Sequence, residues 1–342
     1  MPQRLVARRL LRGLLGGLNL LAAAGVAALL IPRPAISQTA KSKAPAKSYT
    51  APRTPDGQPD MQGVWSNAVL TPLERPADLK GKEFFTQEEA AAYIKRTIEQ
   101  GNKDRRDGSG TEADVARAYN DFWWDRGTSV VKTLRTSLIT DPPDGRVPAL
   151  TPAALKRAAQ VREARLLHPA DGPEDRPLAE RCLVLNSAGP PMSPSAYNNN
   201  YQVVQTAKTF VVLNEMIHDA RVIPLDGSPH IPSGIRLWMG DSRGHWEGDT
   251  LVVDTTNFTG QTPFRGSGEN LHLTERFTRM DAETLLYQYT VDDPESFTRP
   301  WSVAIPSVRT SGPILEYACN EGNYGMEGLL SAARFEEKKK SK

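Results

Sequence analysis

Eight consecutive residues, Asn214-Glu215-Met216-Ile217-His218-Asp219-Ala220-Arg221, hold an imidazole, two carboxylates and a guanidinium. These are the groups from which proton transfer near neutral pH is built. Read as a strand, the segment turns Asn214, Met216 and His218 to one face and Glu215, Asp219 and Arg221 to the other. His218 is then a proton-transfer group, with Asp219 and Arg221 orienting it or keeping a neighbouring carboxylate ionised. A solvated ion-pair row opposite a satisfied histidine accounts for the same residues.

Glu275 is the second such group. If Asp281-Ala282-Glu283 closes a hairpin as a three-residue loop, Phe277 faces Tyr287, Glu275 faces Tyr289 and Leu273 faces Val291. That register sets one carboxylate in an apolar, aromatic face, with His272, Thr274, Arg276 and Gln288 on the other side. Around a cavity, desolvation raises the carboxyl pKa and suits it to proton transfer. A buried glutamate hydrogen-bonded to a tyrosine for structural reasons produces the same pattern.

The run Asn120-Asp121-Phe122-Trp123-Trp124-Asp125-Arg126 offers ring walls, Trp123 and Trp124, with Asp121 and Arg126 as polar handles for a sugar or aromatic ligand. The alternative is a cluster that docks a helix on a sheet. Gly240-Asp241-Ser242-Arg243-Gly244 fits G-x-S-x-G, but a nucleophile elbow needs a strand before the serine and a helix after it. Here Gly244, Gly248 and Asp249 read as a turn-rich hairpin connection. His218, His230, His245 and His272 lack metal-ligand spacing, and no Walker loop, H-E-x-x-H or C-x-x-C is present. Neither a resident metal nor a cofactor is expected.

The elements that must position these groups are punctuated plainly. Thr86 and Glu89 form a capping box for a helix that Gly101 ends, and Thr111 with Asp114 opens a second carrying Tyr119, Phe122 and Trp123. Ser137 to Thr140 is a short strand, and Thr151-Pro152 starts a third helix that closes before His168-Pro169. Residues 172–194 form a Pro- and Gly-rich connection. Past Tyr197, strand-like runs alternate with turns: 201–205, 210–217, 220–225, 251–258, 271–279, 285–291, 301–305 and 314–318. An antiparallel meander of that length must cover or close its edges, and a barrel does so most simply.

Gly63-Val64-Trp65 in a first strand, followed by such a meander, resembles the G-x-W start of lipocalin-type barrels. The resemblance implies an α+β chain with an antiparallel β-barrel, or a strongly curved meander sheet, and a helical N-terminal insertion. The runs 120–127 and 240–250 resemble an uncharacterised group of exported bacterial proteins, which brings no activity with it.

Arg4, Arg8, Arg9 and Arg12 precede an uncharged stretch from Gly13 to Ile31, then Ala35-Ile36-Ser37 before Gln38. This order reads as a secretory signal peptide, with Arg8-Arg9 admitting the twin-arginine route, and implies a periplasmic or secreted protein. An uncleaved anchor has the required length; Pro32, Pro34 and the small-x-small triplet favour cleavage and no lasting membrane span. The expected organisation is a leader over 1–37, a flexible linker over 38–60, a first strand with helical and irregular segments over 61–195, a β-rich domain over 196–335 and a charged tail over 336–342. Cys182 and Cys319 are an even pair in an oxidising compartment, read as one disulfide or as two buried thiols. A net charge of +2 with interspersed signs excludes a nucleic-acid partner.

Three functions fit this reading. An exported lyase, hydratase or isomerase would use His218 and Glu275 in a barrel mouth lined by Trp123, Trp124, Tyr287 and Tyr289. A binding protein would hold an apolar or sugar-like ligand there without chemistry. An envelope scaffold would have a filled core and an apolar surface for a partner.

Overall fold

The computed structural model describes residues 49–106, 108–116, 120–185, 187–262 and 264–340. The leader and residues 38–48 lie outside them. Ten strands make one antiparallel sheet: β1 (Gly63–Ser66), β2 (Ile139–Asp141), β3 (Asn200–Gln205), β4 (Thr209–Asn214), β5 (Ala220–Pro224), β6 (Asp241–Glu247), β7 (Thr250–Thr256), β8 (His272–Arg279), β9 (Thr284–Asp292) and β10 (Trp301–Thr310). Their spatial order is β5-β4-β3-β1-β10-β9-β8-β7-β6, with β2 paired beside β10. The first strand therefore sits in mid-sheet, between β3 and β10, and the two halves of the chain share one core.

The fold class is α+β with one large antiparallel sheet, and of the two expected forms, a barrel or a strongly curved meander sheet, the closed barrel is not formed: no backbone ladder joins the edges β5 and β6. The sheet instead curls until they meet through side chains. Arg221 on β5 reaches Ser242 on β6, and a Cβ on Gly244 would stand 2.5 Å from Leu225 Cδ2. Gly244 is thus a point of close approach inside a strand, which explains why a turn-rich reading of 240–250 missed β6. The turn comes later, at Gly248-Asp249, where Gly248 has φ +60° as the first residue of a two-residue hairpin loop.

The β8–β9 hairpin has the register derived from its loop: Phe277 opposite Tyr287, Glu275 opposite Tyr289 and Leu273 opposite Val291. The inward rows of the sheet converge as Trp65, Tyr201, Phe210, Phe277, Tyr287 and Tyr289, all essentially solvent-free, and fill the concave side.

Two helices follow their caps. Thr86 and Glu89 close a reciprocal capping box on α1 (Gln87–Gly101), and Thr151 caps α3 (Pro152–Leu167) with Pro152 in its first turn. The second helix is shorter than expected: α2 (Glu112–Ala116) is followed, after residues outside the description, by a 3-10 turn over Asp121–Trp123. No strand forms at 314–318. A fourth helix, α4 (Tyr324–Lys340), which was not anticipated, takes up the charged tail. Order begins earlier than Met61, since Asp60 N donates to Pro52 O at 2.8 Å and Ala51 is buried. The Cys182–Cys319 disulfide is formed and ties the irregular connection to the segment before α4.

Candidate functional site

Glu275 stands on the inward row of β8 and is wholly buried. Arg221, itself buried at the start of β5, donates Nη1 to Glu275 Oε1 at 3.0 Å and Nη2 to Oε2. Tyr287 donates its hydroxyl to Oε1 at 2.7 Å and accepts Met192 N–H at 3.0 Å. Arg221 Nε donates to Ser242 Oγ at 3.2 Å, and Ser242 shares a 3.0 Å bond with Thr255 Oγ1. Bidentate pairing of this kind holds a guanidinium and a carboxylate together in an apolar surround. Burial, reinforced by the Glu275 carboxylate, pushes the Tyr287 phenol well above its ordinary pKa, so the hydroxyl stays protonated and donates. Ser242 belongs to this interior network, on a strand followed by another strand, and not to an elbow.

The structure therefore brings Arg221 and Glu275 together and leaves His218 apart. Residues 215–219 form the β4–β5 turn, correcting the strand read over 210–217. Asn214 N donates to Asp219 O at 3.0 Å, and Ile217 and His218 adopt φ of +65° and +58°. The face arithmetic for this segment fails because a left-handed turn breaks the two-residue period. His218 is exposed and Asp219 half-buried. Glu215 is buried instead, accepting from Asn200 Nδ2 at 2.8 Å and from Leu315 N at 3.2 Å.

The proposed lining residues divide in the same way. Tyr287 and Tyr289 are core residues without exposed surface. Trp123 is 59% exposed, while the Trp124 ring has Arg126 4.5 Å and Lys103 4.9 Å from its centre. Arg126 Nη1 donates to Gly101 O at 2.6 Å, and Asp121 Oδ1 accepts Lys103 N at 3.0 Å. This cluster fastens the end of α1, away from the tyrosines. Neither of the two large clefts described below is lined by Glu275, His218, Trp123 or Tyr289.

Spacing gave no sign of a second cluster, on the outer face of the sheet. His230, in the β5–β6 connection, sets Nδ1 2.7 Å from Asp241 Oδ2 and Nε2 2.9 Å from Asp254 Oδ1. Both bonds form when the ring donates from both nitrogens. His272 Nε2 bonds the other oxygen of Asp254. This bond holds the His272 pKa above its usual range and, with help from His230, the Asp254 pKa below its own. Arg243 pairs with Asp241 at 2.9 Å. These nitrogens point at carboxylate oxygens, and no group of three or more His, Cys, Asp or Glu among the described residues is arranged for a metal.

Open space lies elsewhere, against α3. One cleft of about 810 Å³ separates α3 from the irregular connection, and a second of about 660 Å³ separates it from the 266–270 loop. They meet at Val161, Arg165 and Gly260, which line both. α3 buries only Ala154; Leu155, Val161, Leu166 and Leu167 are exposed. The sequence signal was present in the apolar and arginine residues interleaved along 152–167, but nothing in it says which strand or loop faces the helix. No family model and no curated protein matches this chain.

Proposed function

We propose that this is an exported, non-catalytic binding protein that holds a small amphipathic ligand in the groove beneath α3. The observation that carries this reading is the division of space within the molecule. The concave side of the sheet is packed with aromatic rings around an ion pair whose charges are spent on each other, whereas clefts of about 810 and 660 Å³ adjoin along one helix. Ligand sites commonly have volumes of about 300–1,000 Å³ with apolar walls and a few polar groups. The disulfide suits an oxidising compartment, and no helix among the described residues is long and apolar enough to cross a membrane.

The test uses N-phenyl-1-naphthylamine, a neutral dye that brightens in apolar sites. Dye fluorescence should rise on addition of the protein, and Val161→Trp, which fills the junction of the clefts from a half-exposed position, should lower the affinity at least tenfold. Equal dye binding by the variant places the apolar site elsewhere and overturns the reading.

A further inference from the structure

The 660 Å³ cleft has walls of opposite charge. Arg157, Arg162 and Arg165 project from α3, while Glu269, Asp293 and Glu295 come from the facing loops. None of the six forms an ion pair among the described residues, although both signs line one cleft. Two of them are already satisfied: Arg157 Nη2 donates to Ser296 Oγ at 2.6 Å, and Asp293 accepts Gly268 N at 2.7 Å and Ser296 N at 3.1 Å. Arg162 and Arg165 remain on one wall with Glu269 and Glu295 on the other, and no hydrogen bond to any of these four side chains is formed among the described residues. Ala154, Ala158, Val161 and Leu166 of α3 line the same cleft.

Unlike charges that share a cleft without touching gain most from a ligand that carries both signs at its ends. We propose that this cleft binds a short apolar peptide with free termini, its carboxylate on Arg162 and Arg165 and its ammonium on Glu269 and Glu295. Guanidinium forks suit a terminal carboxylate, and carboxylates accept from an ammonium. The apolar residues of α3 that line the cleft take the side chains, and the volume of about 660 Å³ exceeds what a single amino acid fills. The assignment rests on the groove reading above and narrows it to a ligand class.

The probes are Leu-Leu, acetyl-Leu-Leu and Leu-Leu amide, each measured by calorimetry and by displacement of the dye from the full chain. Leu-Leu should bind, and each capped form should bind at least tenfold more weakly. A Glu269→Gln, Glu295→Gln double variant should remove the difference between Leu-Leu and acetyl-Leu-Leu; both positions are exposed, so folding should be unaffected. Dye binding without heat from Leu-Leu, or equal affinity for all three probes, overturns the peptide assignment and leaves the groove reading in place. Absence of both dye binding and heat overturns the two together.

Discussion

At the scale of single residues, Glu275 illustrates how one pattern supports opposite chemistries. A carboxylate opposite tyrosines on an apolar sheet face is a proton-transfer group when it lines a cavity, and a structural one when a guanidinium answers it. Arg221 answers it. Glu275→Gln strands the arginine in the core, and loss of one partner from a buried pair costs about 3–5 kcal/mol. Urea unfolding should show that loss, and the double variant Arg221→Met, Glu275→Leu should recover most of it. His272 and Asp254 make a prediction about pH. The raised His272 pKa contributes stability that is complete below the unfolded value of about 6.5 and is lost as pH rises through the folded value. The lowered Asp254 pKa contributes stability that is present above about 3.9 and is lost as pH falls through its folded value. Asp254→Asn should therefore destabilise more at pH 5.5 than at pH 9. An equal effect at both values, measured by denaturant titration, would remove the histidine from the account.

At the scale of elements, α3 has little packing to hold it, so its ends matter. Thr151 accepts Ala154 N at 3.2 Å and donates to Glu295 O at 2.6 Å, capping the helix and joining it to the facing wall of the cleft. Thr151→Ala should cost about 1 kcal/mol as a lost cap and weaken dye binding, whereas the analogous change at Thr86 should cost a similar amount without touching binding. Hairpins were legible because loop length sets register: a three-residue loop after Met280 fixes the partners of Glu275 whatever the rest of the chain does. β6 was not legible. Its glycine serves a contact with Leu225 across the seam, and local punctuation cannot distinguish that from a turn.

At the scale of the whole molecule, the seam between β5 and β6 and the disulfide decide integrity. With no ladder between them, the two edges are joined by the Arg221 network inside, by Ile223 and Leu225 against Gly244, and by the His230 bonds that fasten the connecting loop outside. Gly244→Val should wedge this seam at about 1–3 kcal/mol, as overpacking does, with faster amide exchange in 220–247 than in β8–β10. Uniform acceleration across all strands would argue against a local seam. The disulfide spans 137 residues of sequence, for which the loop-entropy model gives about 5 kcal/mol. Cys182→Ser with Cys319→Ser should lower the denaturation midpoint accordingly and free the 311–340 segment to proteolysis before the sheet unfolds.

Sequence alone determined what depends on near neighbours. The caps of α1 and α3 rest on side chains three residues from the amide they bind, and the β8–β9 register rests on a loop count. Two cysteines allowed one disulfide or two buried thiols, and the structure shows the bond. Tertiary structure decided what depends on partners far along the chain. Arg221 and Glu275 are 54 residues apart and meet only because the sheet curls. His230, Asp241, Asp254 and His272 come from four segments that spacing cannot relate. Whether the concave side is a cavity or a packed core turns on the summed volumes of rings drawn from both halves of the chain. Periodicity reports which way a side chain points, and only the closed packing reports what it meets.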